Sequence, residues 1–337
     1  MPNAEETIVE VDGRAVRVSN PNKVFFPQRG ETKLDLVNYY LSVGEELMST
    51  VRGRPLLLQR FPDGATGKSF YQKRVPAGAP DWLQTTTVET ANGTPSNAVV
   101  AADMAHIVWA VNLGCLGFHP WPYKADDQAH TDELRIDLDP QPGTTFAMAR
   151  KAAHETKRLF DEVGIDSYIK TTDNRELHVY VRLLPQWDSY QVRAGAVALA
   201  RELGRRRPDI ITSSWWKEER APRIFIDFNQ SAPHKTVFGA WCARSRTGRQ
   251  VLSPFVWSEL ETVNPEQLHL LSVPERVRSL GDPWKDMNKR PQSLQPLLDM
   301  YGRDLDAGLG DAPWPPVYPK MPDEPDRVAP SRAKKPD

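Results

Sequence analysis

Leu134-Arg135-Ile136-Asp137-Leu138-Asp139-Pro140 is the stretch on which the reading of this chain turns. Side chains alternate across a strand, so Leu134, Ile136 and Leu138 go to one face and both aspartates to the other. Their Cα atoms then lie roughly 7 Å apart, close enough for the two carboxylates to converge on one or two divalent cations. Pro140 ends the strand and leaves the pair beside a loop. Oxygen ligands of this kind suit Mg²⁺ or Mn²⁺, and without a cation or basic neighbours the like charges repel. The alternative is a solvent-facing rim of a sheet. A second stretch bears on that choice: in Arg223-Ile224-Phe225-Ile226-Asp227-Phe228-Asn229-Gln230, Asp227 interrupts an apolar run where an unpaired buried carboxylate would be costly. Two adjacent carboxylates and one distant in sequence, all on strands, are the set that two-metal nucleotidyl or phosphoryl transfer requires, with ions about 3.5 to 4 Å apart.

Outward from this stretch the pattern is α+β, with mixed or antiparallel sheets flanked by helices around a cleft. Apolar spacing predicts helices over 33–48, 102–116, 145–163 and 190–204, and strands over 55–61, 134–139, 177–183 and 223–228. The chain has 337 residues, 26% charged and 39% apolar, a globular profile. No apolar run approaches the roughly 18 to 20 residues that span a bilayer, and the N-terminus lacks a basic start followed by an apolar stretch, so a cytoplasmic protein without membrane partners is expected. Two cysteines, Cys115 and Cys242, make neither a disulfide framework nor a structural zinc site and read as buried apolar residues. Eleven of the thirty prolines fall after residue 282. The expected division is therefore a catalytic unit over 1–282 and a Pro-rich extension over 283–337, partly disordered or wrapped on the surface.

A net charge of −1 excludes a generally basic coat but permits a local patch. Residues 201–249 hold eleven Lys/Arg against five Asp/Glu, and Trp215, Trp216, Lys217, Arg220 and Arg223 interleave aromatics with cations, as a groove for a nucleic-acid backbone would. Lys235, Arg244 and Arg246 follow the Asp227 strand. Phe70 and Tyr71, followed by Lys73 and Arg74, repeat the mixture, with at most one ring of a strand pair expected in the core. His178 opens an alternating strand and reads either as structural or as part of the site. His119, in Gly-Phe-His-Pro-Trp, is expected in a rigid loop after a helix, within reach of a phosphate. Three decoys fall away. Asp63 to Ser69 resembles a P-loop but has Pro62 at the first required glycine. His154-Glu155 has Arg158 where a zincin needs histidine, and no Lys-x-Asp-Gly nucleophile occurs.

With a DxD, a histidine-headed strand and a third aspartate in this order, the chain resembles the archaeo-eukaryotic primase superfamily, and within it the polymerase domain of bacterial ligase D and its stand-alone relatives. The likeness covers roughly residues 10–280 and includes Asn20 to Pro27, Thr32-Lys33, Gly53-Arg54-Pro55, Arg60 to Gly64, Asp137 to Pro140, Leu177 to Tyr180 and Ile226 to Gln230. It implies metal ligands at Asp137, Asp139 and Asp227 and a motif histidine at His178. It further implies triphosphate contacts at His119, Thr172, Arg175 and Arg244, with Gln230 and Asn20 near the nucleotide. Recognition of a downstream 5′-phosphate falls on Lys23 and Lys33, template stacking on Phe70 and Tyr71, and primer or loop contacts on Arg220. Two Mn²⁺ or Mg²⁺ ions, NTP or dNTP substrates with ribonucleotides preferred, and gapped or broken DNA complete what the likeness implies.

The chain departs from that family in two places. Thr172-Asp173-Asn174-Arg175-Glu176 stands where the family often reads Ser-Gly-Ser-Lys-Gly, keeping a hydroxyl and a cation but adding two acids. Gln59 stands where a lysine near the nucleotide is common. The Pro-rich end in place of a linker implies a free-standing polymerase that works with a separate ligase and an end-binding protein in end joining or excision repair. A metal-dependent nuclease using the same carboxylates and a catalytically silent DNA-end-binding module are the competing readings; nucleotide-dependent product growth separates them.

Overall fold

The structure, a computed structural model, describes residues 5–91, 93–172, 175–245, 250–316 and 328–333. The chain opens with a hairpin of β1 (Glu6–Val11) and β2 (Arg14–Ser19), then the short strands β3 (Val24–Phe26) and β4 (Glu31–Thr32). Thr32 caps the helix that follows: its hydroxyl accepts from Asp35 N at 3.2 Å, while Asp35 accepts from Thr32 N at 2.7 Å. The single helix expected over 33–48 is two, α1 (Lys33–Ser42) and α2 (Gly44–Val51), because Val43 leaves helical geometry at φ −117°, ψ 24°.

Next come β5 (Pro55–Arg60), β6 (Phe70–Gln72), β7 (Thr85–Val88) and β8 (Ser96–Val100), then α3 (Met104–Asn112) and β9 (Cys115–Pro120). They form an antiparallel sheet ordered β6-β5-β8-β7, with β9 also on β5. The helix expected to reach residue 116 stops at Asn112, and Gly114, at φ 85°, turns the chain into β9. His119 therefore lies on a strand, opposite Leu57, and not in a loop.

The second sheet is built from β10 (Glu133–Pro140), β11 (Tyr168–Thr171), β12 (Leu177–Arg182), β13 (Ile211–Thr212), β14 (Ile224–Asp227) and β15 (Pro254–Phe255). Its order is β13-β14-β10-β12-β11-β15, antiparallel except for β13 beside β14. Leu134, Ile136 and Leu138 are buried in one core with the apolar faces of α4 (Phe146–Glu162) and α5 (Ser189–Arg206), which pack on this sheet. At about 1.5 to 3 kcal/mol per buried side chain, that contact fixes which way β10 faces. The other face carries Glu133, Arg135, Asp137 and Asp139 toward the first sheet. The protein is thus α+β, with two larger sheets flanked by helices.

Beyond residue 282, α7 (Gln295–Asp306) packs on α5, after the shorter helix α6 (Ser272–Leu280). Trp284, Leu294, Leu297 and Trp314 are buried, and Arg193 of α5 donates to the Ala312 carbonyl at 2.9 Å. Residues 317–327 and 334–337 of the expected extension lie outside the described residues, as do Asp173, Asn174 and Arg246.

Candidate active site

Strand register assembles the site. Asp137 on β10 pairs with Asp227 on β14 and with His178 on β12, and His178 pairs in turn with Lys170 on β11. One transverse row across the sheet therefore reads Lys170, His178, Asp137, Asp227, and Asp139 stands two residues further along β10. Four strands from three separate stretches of the chain bring a cation, an imidazole and three carboxylates to one face.

The electrostatics of this row are unusual for carboxylates. Burial, then the neighbouring Asp139, pushes the Asp137 carboxyl up to about 7. Burial and then Asp137 push Asp227 up to about 6. Opposing this are Lys170, which acts on Asp137, and Lys235, which acts on Asp227. Gln230 Nε2 donates to Asp227 at 2.9 Å and reaches Asp137 at 3.5 Å. Asp227 also accepts from Asn229 N at 3.0 Å, and Gln141 Nε2 donates to Asp139 at 2.9 Å. Asp137 Oδ1 is buried without a hydrogen-bond partner among the described residues, although His178 Nε2 lies 3.4 Å away, within ion-pair range but not aligned. A buried carboxylate oxygen that accepts nothing, beside two further carboxylates, is a donor set that fits a hard divalent cation.

A second wall comes from the first sheet. His119 on β9 packs on Phe238 with ring centroids 3.9 Å apart and meets the edge of Tyr71 at 5.4 Å. Arg244 lies over the same Phe238 ring at 4.0 Å. Gly117 permits this closeness, since a Cβ there would meet Phe238 Cε1 at 2.4 Å and the Ala243 carbonyl at 2.6 Å. Helix α1 holds the same loop: Tyr39 donates to the Trp241 carbonyl at 2.7 Å and Tyr40 accepts from Ala243 N at 2.9 Å. Burial, then the charges of Arg244, Lys170 and Arg135, pulls the His119 imidazole down to about 3, so it is neutral at physiological pH. Its Nε2 is buried and has no hydrogen-bond partner among the described residues.

The remaining expected residues divide by location. Thr172 donates to the Glu176 carbonyl at 3.2 Å and to its carboxylate at 3.3 Å, and Arg175 donates to the Thr144 carbonyl, so this loop lies beside the start of α4. Arg220 is buried. Its guanidinium stacks 3.5 Å from the Phe225 ring, donates to the carbonyls of Ser214 and Trp215, and lies 4.0 Å from Asp139. Both Phe70 and Tyr71 are exposed, at 45% and 57%, so neither enters the core. Asn20, Lys23 and Lys33 share a different corner. Lys23 Nζ donates to the Pro62 carbonyl at 2.7 Å, while Lys33 is buried and donates to the carbonyls of Ser19 at 2.6 Å and Asn112 at 3.2 Å. Asn20, at φ 49°, forms the turn whose carbonyl accepts from Lys23 N. Sequence reasoning missed Lys170 and Gln141. A lysine inside Tyr-Ile-Lys-Thr, between buried positions of a strand, was a signal of the same kind as Asp227.

Comparison with known proteins agrees with this geometry. The family model for the LigD primase-polymerase domain matches residues 32–284. The multifunctional non-homologous end joining protein LigD of Mycolicibacterium smegmatis is 28% identical over 309 residues, covering 90% of this chain and 40% of that protein. The bifunctional LigD of Bacillus subtilis is 30% identical over 278 residues, 82% of this chain and 44% of that protein. The chain thus spans less than half the length of these relatives. The polymerase domain of Mycobacterium tuberculosis ligase D, solved in complex with DNA, superposes with a TM-score of 0.76 at 26% identity, covering 82% of this chain and 98% of that domain. With the family model matched over most of its length and the carboxylate row in place, this chain belongs to the LigD primase-polymerase domain family.

Proposed function

We propose that this chain, an enzyme of the primase-polymerase class, adds nucleotides to a primer 3′-hydroxyl as directed by a DNA template, preferring ribonucleotides, and fills short gaps or extends broken ends during end joining or excision repair. The observation that carries this reading is the transverse row of Asp137 and Asp227 with Asp139 beside it, on the open end of an otherwise covered sheet face. Asp137, Asp139 and Asp227 would hold two divalent ions, Mn²⁺ or Mg²⁺, which supply charge neutralisation at the leaving pyrophosphate and acidify the attacking hydroxyl. The chain's own part is to bind and orient. His119, neutral at working pH, offers Nε2 as a hydrogen-bonding group to a phosphate oxygen without adding charge. Arg175 and Arg244 add charge-assisted donors, and the Thr172 hydroxyl adds a neutral one. Gln230 keeps Asp227 and Asp137 turned toward each other.

Phe70 and Tyr71 present exposed rings to a template, and Arg60, 5.2 Å from the Phe70 ring, stiffens that platform. Lys23 and Lys33 would serve a downstream 5′-phosphate, with Lys33 acting chiefly by shaping that corner, since its ammonium group already holds two carbonyls, and Asn20 would contribute near the incoming nucleotide. A separate ligase and an end-binding protein, acting in the cytoplasm at the nucleoid, would complete the repair.

The test is primer extension on DNA carrying a short gap and a downstream 5′-phosphate, with NTPs or dNTPs, in Mn²⁺ or Mg²⁺. Templated ribonucleotide addition is expected, falling by several orders of magnitude in the Asp137→Ala, Asp139→Ala double variant while DNA binding persists. Extension retained in that variant would overturn the assignment. Nucleotide-independent shortening of the primer would point to a nuclease instead.

A further inference from the structure

Glu176 is a fourth carboxylate at the rim of the row, in a loop where the resembled family commonly carries glycine. It lies two residues before His178, so the two share a side of the chain as it enters β12, and Asp137 stands opposite His178 across the ladder. One ligand atom each from Asp137, Glu176 and His178 lies within 4.8 Å of the others. Atoms that far apart can close on one ion with bonds of about 2.1 Å after small side-chain rotations. His178 is buried, and Asp137 Oδ1, the oxygen facing it at 3.4 Å, is buried and accepts no hydrogen bond among the described residues. The cluster therefore contains more than acidic charge: it has an imidazole nitrogen and, 3.4 Å from it, a buried carboxylate oxygen that accepts no hydrogen bond among the described residues.

We propose that Asp137, Glu176 and His178 form a divalent-ion site that holds a transition-metal ion in the absence of nucleotide, additional to the oxygen-only set of Asp137, Asp139 and Asp227. One nitrogen and two carboxylates favour Mn²⁺, Co²⁺ or Zn²⁺ over Mg²⁺, which prefers oxygen ligands in a near-ideal octahedron. The site also accounts for an acid beside Thr172 and Arg175, the residues placed to meet a triphosphate. A carboxylate there would repel the triphosphate, and an ion on Glu176 turns that repulsion into an attachment point. The inference rests on the polymerase reading for this last consequence only, because the ion site itself requires no nucleotide.

The experiment is a Mn²⁺ titration of the full chain without nucleotide or DNA. Free Mn²⁺ is followed by electron paramagnetic resonance, and bound Mn²⁺ is examined for coupling to ¹⁴N. The wild type is expected to bind Mn²⁺ with ¹⁴N coupling. Glu176→Gly should raise the Kd by about tenfold or more, and His178→Ala should abolish the coupling. Glu176→Gln, nearly isosteric, repeats the test should the glycine variant melt lower than wild type. Unchanged Mn²⁺ affinity in a folded Glu176 variant, or ¹⁴N coupling that survives His178→Ala, would overturn the proposal. A protein that binds Mn²⁺ in this way but extends no primer keeps the ion site and loses the polymerase reading; an active polymerase whose Mn²⁺ binding ignores Glu176 does the reverse.

Discussion

Two ends of one polar face, at most seven residues apart on β10 and the turn before it, treat the same kind of side chain in opposite ways. At the covered end Asp132 and Glu133 meet three arginines from three places in the fold. Arg54 binds Asp132 at 2.6 Å and Glu133 at 3.1 Å, Arg135 binds Glu133 at 2.6 Å, and Arg182 binds Asp132 at 2.9 Å and Glu133 at 3.0 Å. Burial alone would raise these carboxyls, yet Arg54, Arg182 and Arg135 hold Glu133 well below the usual carboxylate range, and Arg54 and Arg182 lower Asp132. At the open end Asp137 and Asp227 are raised to about 7 and about 6, because burial and mutual repulsion exceed what Lys170 and Lys235 return. The covered end ties the first sheet to the second through Arg54. The open end leaves its carboxylates short of cationic partners, so that a proton or a bound cation must balance them. Buried acid on a strand is therefore not a signature of a site; the sign of its shift and the identity of its partners are what separate the two.

The largest effect expected from breaking this contrast is at the covered end. Glu133→Ala leaves three arginines facing one aspartate in a buried place, and should cost about 3 to 5 kcal/mol in chemical denaturation. A loss below 1 kcal/mol would mean that the cluster contributes little to joining the sheets. At the open end the same measurement should be sensitive to metal: Mn²⁺ at about 100 times its Kd should stabilise the wild type by about 2.7 kcal/mol and do much less in Asp137→Asn. Equal stabilisation in both would place the bound ion elsewhere.

The smallest effect expected is in the pH dependence, where the ends have opposite signs. Glu133 and Asp132 titrate lower when folded, so their contribution is present above the unfolded value near pH 4 and is lost as pH falls further. Asp137 and Asp227 titrate higher when folded, so metal-free protein should lose stability as pH rises from about 4 to about 7. Asp137→Asn should flatten that limb without touching the acid one, and Mn²⁺ should flatten it by replacing the proton. Denaturation midpoints from pH 4 to 8, with chelator and with Mn²⁺, would show this. A metal-free stability that rises steadily to pH 7 in the wild type would contradict the raised carboxyls.

Local chemistry was legible in the residues alone. Alternation in Leu134 to Asp139 separates an apolar from an acidic face whatever the strand pairs with, and apolar spacing over 145–163 and 190–204 marks the helices found as α4 and α5. The family likeness also rested on these local strings. What the sequence left open depended on partners distant in the chain. The register that sets Asp227, His178 and Lys170 beside Asp137 comes from four strands and three ladders, and no local preference encodes it. His119 is a strand residue because β9 finds β5, and Arg220, one of the cations interleaved with aromatics, is buried because Phe225 and two carbonyls receive it. Sequence determined which residues could carry charge to the sheet. Tertiary structure decided which of those charges were cancelled and which were left for a ligand, because cancellation depends on distance in space, and only packing sets that.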